Sequence, residues 1–533
     1  MEESILILGA GIMQRPAIQS AKNLGLKVFV VDANPSAPCV GEADFFEPID
    51  LKDSEAIARY ALSLKENAGL KAVFTAGTDF SASVAYACEK CGFPNHSFRA
   101  AENASNKALM RQCFRDAGVP CPGFLEIKKQ SLEEILSPNV LKNLVYPQVV
   151  KPVDNMGARG CRMVRSEDEL FPALSEAFEF SRTQTAILEE FMDGPEFSID
   201  ALLYDGTLTI TGFANRHIFF PPYFIEMGHT MPSQNSYKDY IALIKTFACG
   251  IKSLGLSCGA AKADIKMTKA GPMVGEIAAR LSGGYMSGWT FPYSSGLNLT
   301  EQAILVALGR TPQMLEERRF SLEEHEPFEI FAYTSKLACA ERAWISIPGK
   351  VKEILNLDEA GKIEGVKNIF SRVSAGDEVR FPKSNVEKCG NIISVANTRA
   401  EAEKIAREAV GKITLVLEKE NPKTDEFLFG AKDDDGQTFP PRAYQIPKGA
   451  SNELAYELDC NSEKIIPKDE SIEKYIPTKL LPFLEMRDWN NLTLIETVRK
   501  FDFLCPNHAD LHYKKFWAAL MRGGIQGALY AAQ

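Results

Sequence analysis

Two short runs of aliphatic and β-branched residues open the chain, Ser4 to Gly9 (SILILG) and Lys27 to Val31, the second ending at Asp32. A helix-like stretch reaching Gly25 separates them, so the apolar period passes from strand to helix to strand, the pattern of a βαβ unit. Asp44 to Pro48 and Ala72 to Ala76 continue it as further short strands, with a helical stretch at Ser54 to Asn67. The first hundred residues are therefore predicted to be doubly wound, and ligands in such sheets sit beyond the strand C-termini. Those ends carry Gly9-Ala10-Gly11, Asp32-Ala33-Asn34 and Ala76-Gly77-Thr78-Asp79. Gln14 stands where the dinucleotide fingerprint needs its third glycine, which argues against a nicotinamide cofactor. A substrate-facing Rossmann-like domain is the expectation, with Gly11, Thr78 and Asp79 as candidate contacts; a purely structural turn is the competing reading.

After a helix from about Asn106 to Ala117, Gly118-Val119-Pro120-Cys121-Pro122 breaks the chain. Tyr146 to Pro152 reads as a buried strand that delivers Lys151 at its end. Asp154-Asn155-Met156-Gly157-Ala158-Arg159-Gly160 follows as a turn, leading into a strand at Cys161 to Val164. Its backbone N–H groups suit phosphate, although a plain glycine-containing hairpin explains the same residues. Ile187 to Glu190 is an apolar strand ending in carboxylates, and Glu196 to Asp200 lies in the next strand after a turn. Ala263 to Met267 and Val274 to Arg280 alternate as two strands joined by the turn Lys269-Ala270-Gly271-Pro272. The twelve-residue separation of Asp264 and Glu276 can set both carboxylates on one face of neighbouring strands. Two such groups repel unless a cation lies between them, and hard oxygen donors favour magnesium. Arg280 can grip an anion bidentately, and Ser282-Gly283-Gly284 allows close backbone approach. Between these halves lie Asn215-Arg216-His217 and Phe224 to Ser233, where Glu226 and His229 could orient a carboxylate or accept a proton. A histidine capping a loop and a surface arginine are the structural alternatives.

In this order the residues resemble the ATP-grasp superfamily of carboxylate–amine ligases, over roughly Glu3 to Leu417. They comprise Lys107, Gly118-Val119-Pro120-Cys121-Pro122, Lys151, Gly157 with Gly160, Glu189-Glu190, Glu196, Asp264 and Glu276. The resemblance implies α/β and α+β architecture: a Rossmann-like domain at 1–105, and an ATP-grasp domain at 106–327 with a lid subdomain at about 120–188. A β-rich part at 328–418 and a linker with a mixed helical extension at 419–533 follow. It implies that Lys107 and Lys151 hold ATP phosphates under a loop carrying Asp154, Gly157 and Gly160. Glu189 would accept from the adenine amino group beside Glu190 and the backbone of Phe191 and Met192, and Glu196 would bind the ribose. Asp264 and Glu276 would hold magnesium, as one ion or two. Arg280, with His229 and Lys151 in the reaction centre, would steady the acyl phosphate or substrate carboxylate; Arg216, Glu226, Ser282, Gly283 and Gly284 complete the substrate side. One departure is Ala278 where many members have a metal-binding asparagine; Glu276-Ile277-Ala278-Ala279-Arg280 is closer to the amino-acid ligase form.

Composition narrows the alternatives. Apolar residues at 45% and charged residues at 24% are globular values. The net charge of −10 and the lack of a basic run disfavour nucleic acid. No apolar run reaches the roughly 20 residues that span a bilayer, and the acidic start does not read as a signal peptide, so a cytoplasmic protein is expected. Twelve scattered cysteines fit a reducing compartment, with Cys88 and Cys91 as neighbouring helix positions. Asp433-Asp434-Asp435-Gly436 reads as a solvated turn. Cys505, His508 and His512 could ligate zinc if His508 and His512 lie one helical turn apart. The expected activity is ATP-driven joining of a small-molecule carboxylate and an amine, through an acyl phosphate, with release of ADP and phosphate. A bicarbonate-using carboxylase, a carbamoyl-phosphate-type synthetase and a regulatory protein without turnover are the alternatives. The oligomeric state is left open, a homodimer included.

Overall fold

The structure is a computed structural model that describes residues 2–132, 141–322, 326–430 and 439–532. The acidic turn at Asp433–Gly436 lies outside those residues. The chain forms two units: Met1–His217 with His229–Ala340 and Val395–Arg399, and Ile218–Gly228 with Glu341–Ser394 and Ala400–Gln533.

The first unit begins with strands β1 (Ser4–Leu8), β2 (Lys27–Val31), β3 (Phe45–Glu47) and β4 (Leu70–Phe74) in the order β3-β2-β1-β4. The three pairings are parallel. Both faces are covered: Ile5, Ile7, Val28 and Val30 enter one core, and Leu6, Leu8, Phe29 and Val31 another. This explains why β1 reads as an unbroken apolar run rather than an alternating one. Helices α1 (Arg15–Asn23), α2 (Ser54–Asn67), α3 (Ser81–Cys91), α4 (Phe98–Ser105) and α5 (Lys107–Asp116) follow. The Asp53 carboxylate caps α2 by accepting from the Ala56 N–H, and the Asn106 side chain caps α5 by accepting from Ala108 and Leu109.

A second sheet, ordered β5-β8-β6-β7, is antiparallel and consists of β5 (Phe124–Lys128), β6 (Gln148–Pro152), β7 (Arg162–Val164) and β8 (Thr185–Glu190). The helix Glu167–Phe180 packs on it through Leu170, Leu174 and Phe178. The strands that follow are β9 (Glu196–Tyr204), β10 (Thr207–Phe219), β11 (Ile225–Met231), β12 (Gly259–Thr268) and β13 (Gly271–Ala278). One face of β9 and β12 buries Phe197, Ile199, Ala263 and Ile265 against the helix Tyr237–Leu254. The alternate residues of those strands carry the charged groups described below.

The second unit has its own cores. Strands Gly349–Leu355 and Thr414–Leu417 pair antiparallel, as do Val366–Ser371 and Gly390–Ala396. Trp344, Val351 and Leu415 share a core with Phe427, Leu428, Ala519 and Tyr530. The C-terminal helix Tyr513–Ala531 supplies side chains to the β-rich core, and Glu341–Ser394 and Ala400–Gln533 belong to one unit. The start of the expected linker is not solvated: Asn421 N–H donates to the Tyr530 hydroxyl (2.8 Å), and Phe427 and Leu428 are buried. No helix among the described residues is long and apolar enough to cross a membrane.

Candidate active site

Strand register assembles the charged face. Arg216 on β10 pairs with Glu196 on β9, which pairs with Lys266 on β12. In the next row Ser198 faces Asp264, which faces Glu276 on β13, and in the third Asp200 faces Lys262, which faces Ala278. Because side chains at i, i+2 and i+4 share a face, Lys262, Asp264 and Lys266 project together.

Within this lattice, Arg216 Nη1 lies 2.5 Å from Glu196 Oε1 and 2.8 Å from Asp264 Oδ1. Lys262 Nζ holds Asp264 Oδ2 at 2.5 Å, and Lys266 Nζ is 3.4 Å from Glu196 Oε2. Lys107, in the first turn of α5, places Nζ 3.7 Å from Glu276 Oε2 and donates to Asn155 O at 2.7 Å. Burial opposes charge on Glu276, but Lys107, Lys262, Lys151 and Arg280 outweigh it and pull its pKa down to about 2. Glu276 therefore stays ionised at neutral pH, facing more cations than the two opposed carboxylates neutralise. Arg280 is 8% exposed; its Nη1 donates to Leu281 O at 3.0 Å, while its buried Nε has no hydrogen-bond acceptor among the described residues. An orphaned guanidinium nitrogen in such a field fits an anionic ligand. Asp264 and Glu276 supply the oxygen donors that suit magnesium.

Glu189 is 2% exposed, with Arg111 Nε at 2.9 Å and Lys151 Nζ at 2.7 Å. Burial works against its charge, and Arg111 and Lys151 still hold its pKa below the usual carboxylate range. Arg111 also donates to Gly275 O at 2.6 Å, tying α5 to β13. Glu189 is thus engaged by two cations, and Phe191 N–H donates to Pro147 O (3.2 Å) while Met192 O accepts from Lys266 (3.1 Å).

Several expected site residues lie elsewhere. Glu190 alternates to the other face of β8 and accepts from Gly123 N–H at 3.2 Å. The Asp154 carboxylate is an anchor, accepting from Ser181 Oγ, Arg182 N and Thr183 N at 2.9, 3.1 and 3.0 Å. That fixes the base of the loop in which Gly157 and Gly160 take positive φ of 69° and 66°. His229 is buried, its Nε2 against Thr290 Oγ1 at 2.8 Å. Glu226 sits three residues earlier on β11, an odd separation that turns it to the opposite face, and it belongs to the second unit. Arg216 bridges Glu196 and Asp264 rather than standing open to substrate. Gly283 is spent on packing: a Cβ on Gly77 would lie 3.2 Å from Gly283 Cα. Ser282 N–H donates to Asp200 Oδ1 at 3.0 Å, and Gly284 takes φ +61° in open space. At the Rossmann-like edge, Gly11 has open space, Thr78 Oγ1 bonds Thr75 Oγ1 (2.7 Å) and Asp79 lies 3.9 Å from Arg182. Gln14 is buried and clamps the Ala76 backbone, accepting from its N–H at 2.9 Å and donating to its carbonyl. Zinc does not fit Cys505, His508 and His512. His512 is in a strand, both His508 ring nitrogens lie against carbonyls, at 2.7 and 2.9 Å, and no cluster of three or more His, Cys, Asp or Glu side chains that could hold a metal forms among the described residues.

Arg111, Asp200, Lys262 and Lys266 were not singled out in the sequence. The period-two placement of charge in Lys262-Ala263-Asp264-Ile265-Lys266 carries the signal for two of them. Asp200 is pushed up to about 6 by burial, against the pull of its bonds with Ser282 and the nearby Lys262 and Arg280.

Residues 144–288 match the ATP-grasp domain family, and residues 343–418 match the L-amino acid ligase C-terminal domain 2. An uncharacterized protein of Sinorhizobium fredii is 24% identical over 415 residues, covering 77% of this chain and 82% of its own. Carnosine synthase 1 of Gallus gallus is 24% identical over 331 residues, and the match spans 58% of this chain but 36% of that enzyme. Among solved structures, L-amino acid ligase from Bacillus licheniformis aligns with a TM-score of 0.66 at 22% identity, covering 79% of this chain and 99% of that one. Fold, charged lattice and domain matches converge: this is an enzyme that carries an ATP-grasp domain and an L-amino acid ligase C-terminal domain 2.

Proposed function

We propose that this enzyme joins a small-molecule carboxylate, of amino-acid type, to an amine at the expense of ATP, through an acyl phosphate. The observation that carries the reading is the Asp264–Glu276 pair in direct register, ringed by Lys107, Lys151, Lys262 and Arg280. A carboxylate is a poor electrophile at neutral pH, so its oxygen first attacks the γ-phosphorus, the bond to the β-phosphate oxygen breaks and ADP leaves. The amine then attacks the acyl carbon, loses a proton, and inorganic phosphate departs.

In this reading Lys107 and Lys151 stabilise charge on the transferred phosphoryl group, and Arg280 holds the anionic acyl end through its unsatisfied Nε. Asp264 and Glu276 would hold magnesium, which when bound supplies Lewis-acid stabilisation of phosphate charge. Glu189 positions Lys151 from behind. The loop bearing Gly157 and Gly160 excludes water, protecting a mixed anhydride from hydrolysis. The amino-acid character of the substrate is supported by the C-terminal domain match at 343–418 and the Ala278 variant of the β13 segment.

The test is ADP and phosphate release with Mg2+ and ATP across carboxylates, amino acids and bicarbonate, each with and without an amine. Release that needs both carboxylate and amine is expected; release with bicarbonate alone, or none across the panel, overturns the reading. Glu276→Gln is expected to lower turnover at least about 100-fold with circular dichroism unchanged, and wild-type ADP release in that variant removes the metal assignment.

A further inference from the structure

The second unit contains a cavity of about 560 Å³ between the helices Lys448–Cys460 and Tyr513–Ala531. Its lining is divided. Leu428, Leu454, Leu458 and Met521 give an apolar wall, while Arg522 and Arg442 supply positive charge. Arg522 is 7% exposed and lies with its guanidinium carbon 4.5 Å from the centre of the Phe427 ring. Its Nε donates to Phe427 O at 3.2 Å, but its buried Nη1 has no hydrogen-bond acceptor among the described residues. Arg442 donates to Ser451 Oγ at 3.0 Å on the same wall. The acid that lines the cavity, Asp459, is paired with Lys514 at 2.5 Å.

A buried guanidinium whose outer nitrogen lacks an acceptor carries a desolvation cost that a bound anion would offset. Leucine and methionine side chains beside it favour an apolar body on the same ligand, and the volume is that of a small-molecule site. From this we infer that the second unit binds an organic anion with an apolar body, its carboxylate or phosphate head seated on Arg522. Burial and the neighbouring Arg442 draw the Arg522 pKa down to about 10, so it remains charged at neutral pH.

The site is independent of the ligase reading and is tested on the full chain by calorimetry, with octanoate and octyl phosphate as probes and octanol as the uncharged control. Octanoate or octyl phosphate is expected to bind at least about tenfold more tightly than octanol, and their ratio identifies the preferred head group. Arg522→Gln, which retains a donor for Phe427 O, is expected to remove that preference. Since Arg522 is buried and its replacement can unfold the unit, Ala455→Trp at the exposed side of the lining supplies a second variant that blocks entry without touching the core. Equal binding of octanol, no heat with either anion, or undiminished anion binding in a folded Ala455→Trp protein each overturns the inference.

Discussion

At the level of single residues, the site depends on buried charges that are stable only in company. Arg111 is fully buried against Glu189 and Gly275. Arg111→Met removes one cation from a buried carboxylate, so a loss of about 3–5 kcal/mol is expected, read as a lowered urea midpoint. A midpoint unchanged from wild type would mean that Lys151 alone neutralises Glu189. His96 gives a pH signature of a different kind. Its Nδ1 accepts from the N–H groups of Ser257 and Cys258, at 3.1 and 3.2 Å, and its Nε2 faces Ala260 O at 2.9 Å, an arrangement suited to the neutral ring. Burial, only partly opposed by the Ala260 contact, draws its pKa down to about 4 from 6.5. Between those values the unfolded chain takes up a proton that the folded chain refuses, so stability falls as pH drops from 6.5 to 4, by up to about 3 kcal/mol. Denaturant titrations at stepped pH should show this slope in the wild type and lose it in His96→Gln; parallel slopes in the two proteins would clear His96 of the effect.

Elements carry what no residue does alone. The register of β9, β12 and β13 sets Asp264 opposite Glu276, and a one-residue slip would turn the row into the core. The loop between β6 and β7 relies on backbone shape instead. Gly160 combines a φ of 66° with a Cβ position 3.0 Å from Phe180 Cδ2, so any side chain there meets both strain and a ring. Gly160→Val is expected to raise the KM for ATP several-fold while leaving the thermal midpoint within a few degrees, because the loop contributes to closure rather than to the core. An unaltered KM would show that the loop shape is not used in nucleotide binding. The apolar periods made β1, β2 and α2 legible to within a residue. The last strand-like histidine segment was not: His512 reads as helical beside Tyr513, but Leu511 pairs with Ile466 and His512 with Ile465, partners distant along the chain.

At the scale of the whole molecule, the C-terminal extension is part of the second unit's core and not an appendage. Deleting residues 419–533 would strip Ala519 and Tyr530 from Trp344, Val351 and Leu415. The truncated chain is expected to lose the second unit's cooperative unfolding transition and to expose the 341–418 segment to rapid proteolysis. A truncated protein that resists protease as the full chain does would establish 328–418 as self-sufficient.

Local chemistry and order along the chain were enough to determine the parallel N-terminal sheet, the paired strands with opposed carboxylates, and the lysines that precede them, since each depends on periods of two or 3.6 residues and on spacing. The ATP-grasp resemblance was legible for the same reason: it is an ordered set of short motifs. Only the tertiary structure decided which charges meet. Glu189 faces Arg111 and Lys151 while its neighbour Glu190 faces Gly123; Asp154 turns back to residues 181–183; His229 enters the core; and the Tyr513–Ala531 helix closes a core begun at Trp344. Those partners are distant in sequence, and a side chain's role follows from what burial and neighbouring charge do to it, which no local pattern records.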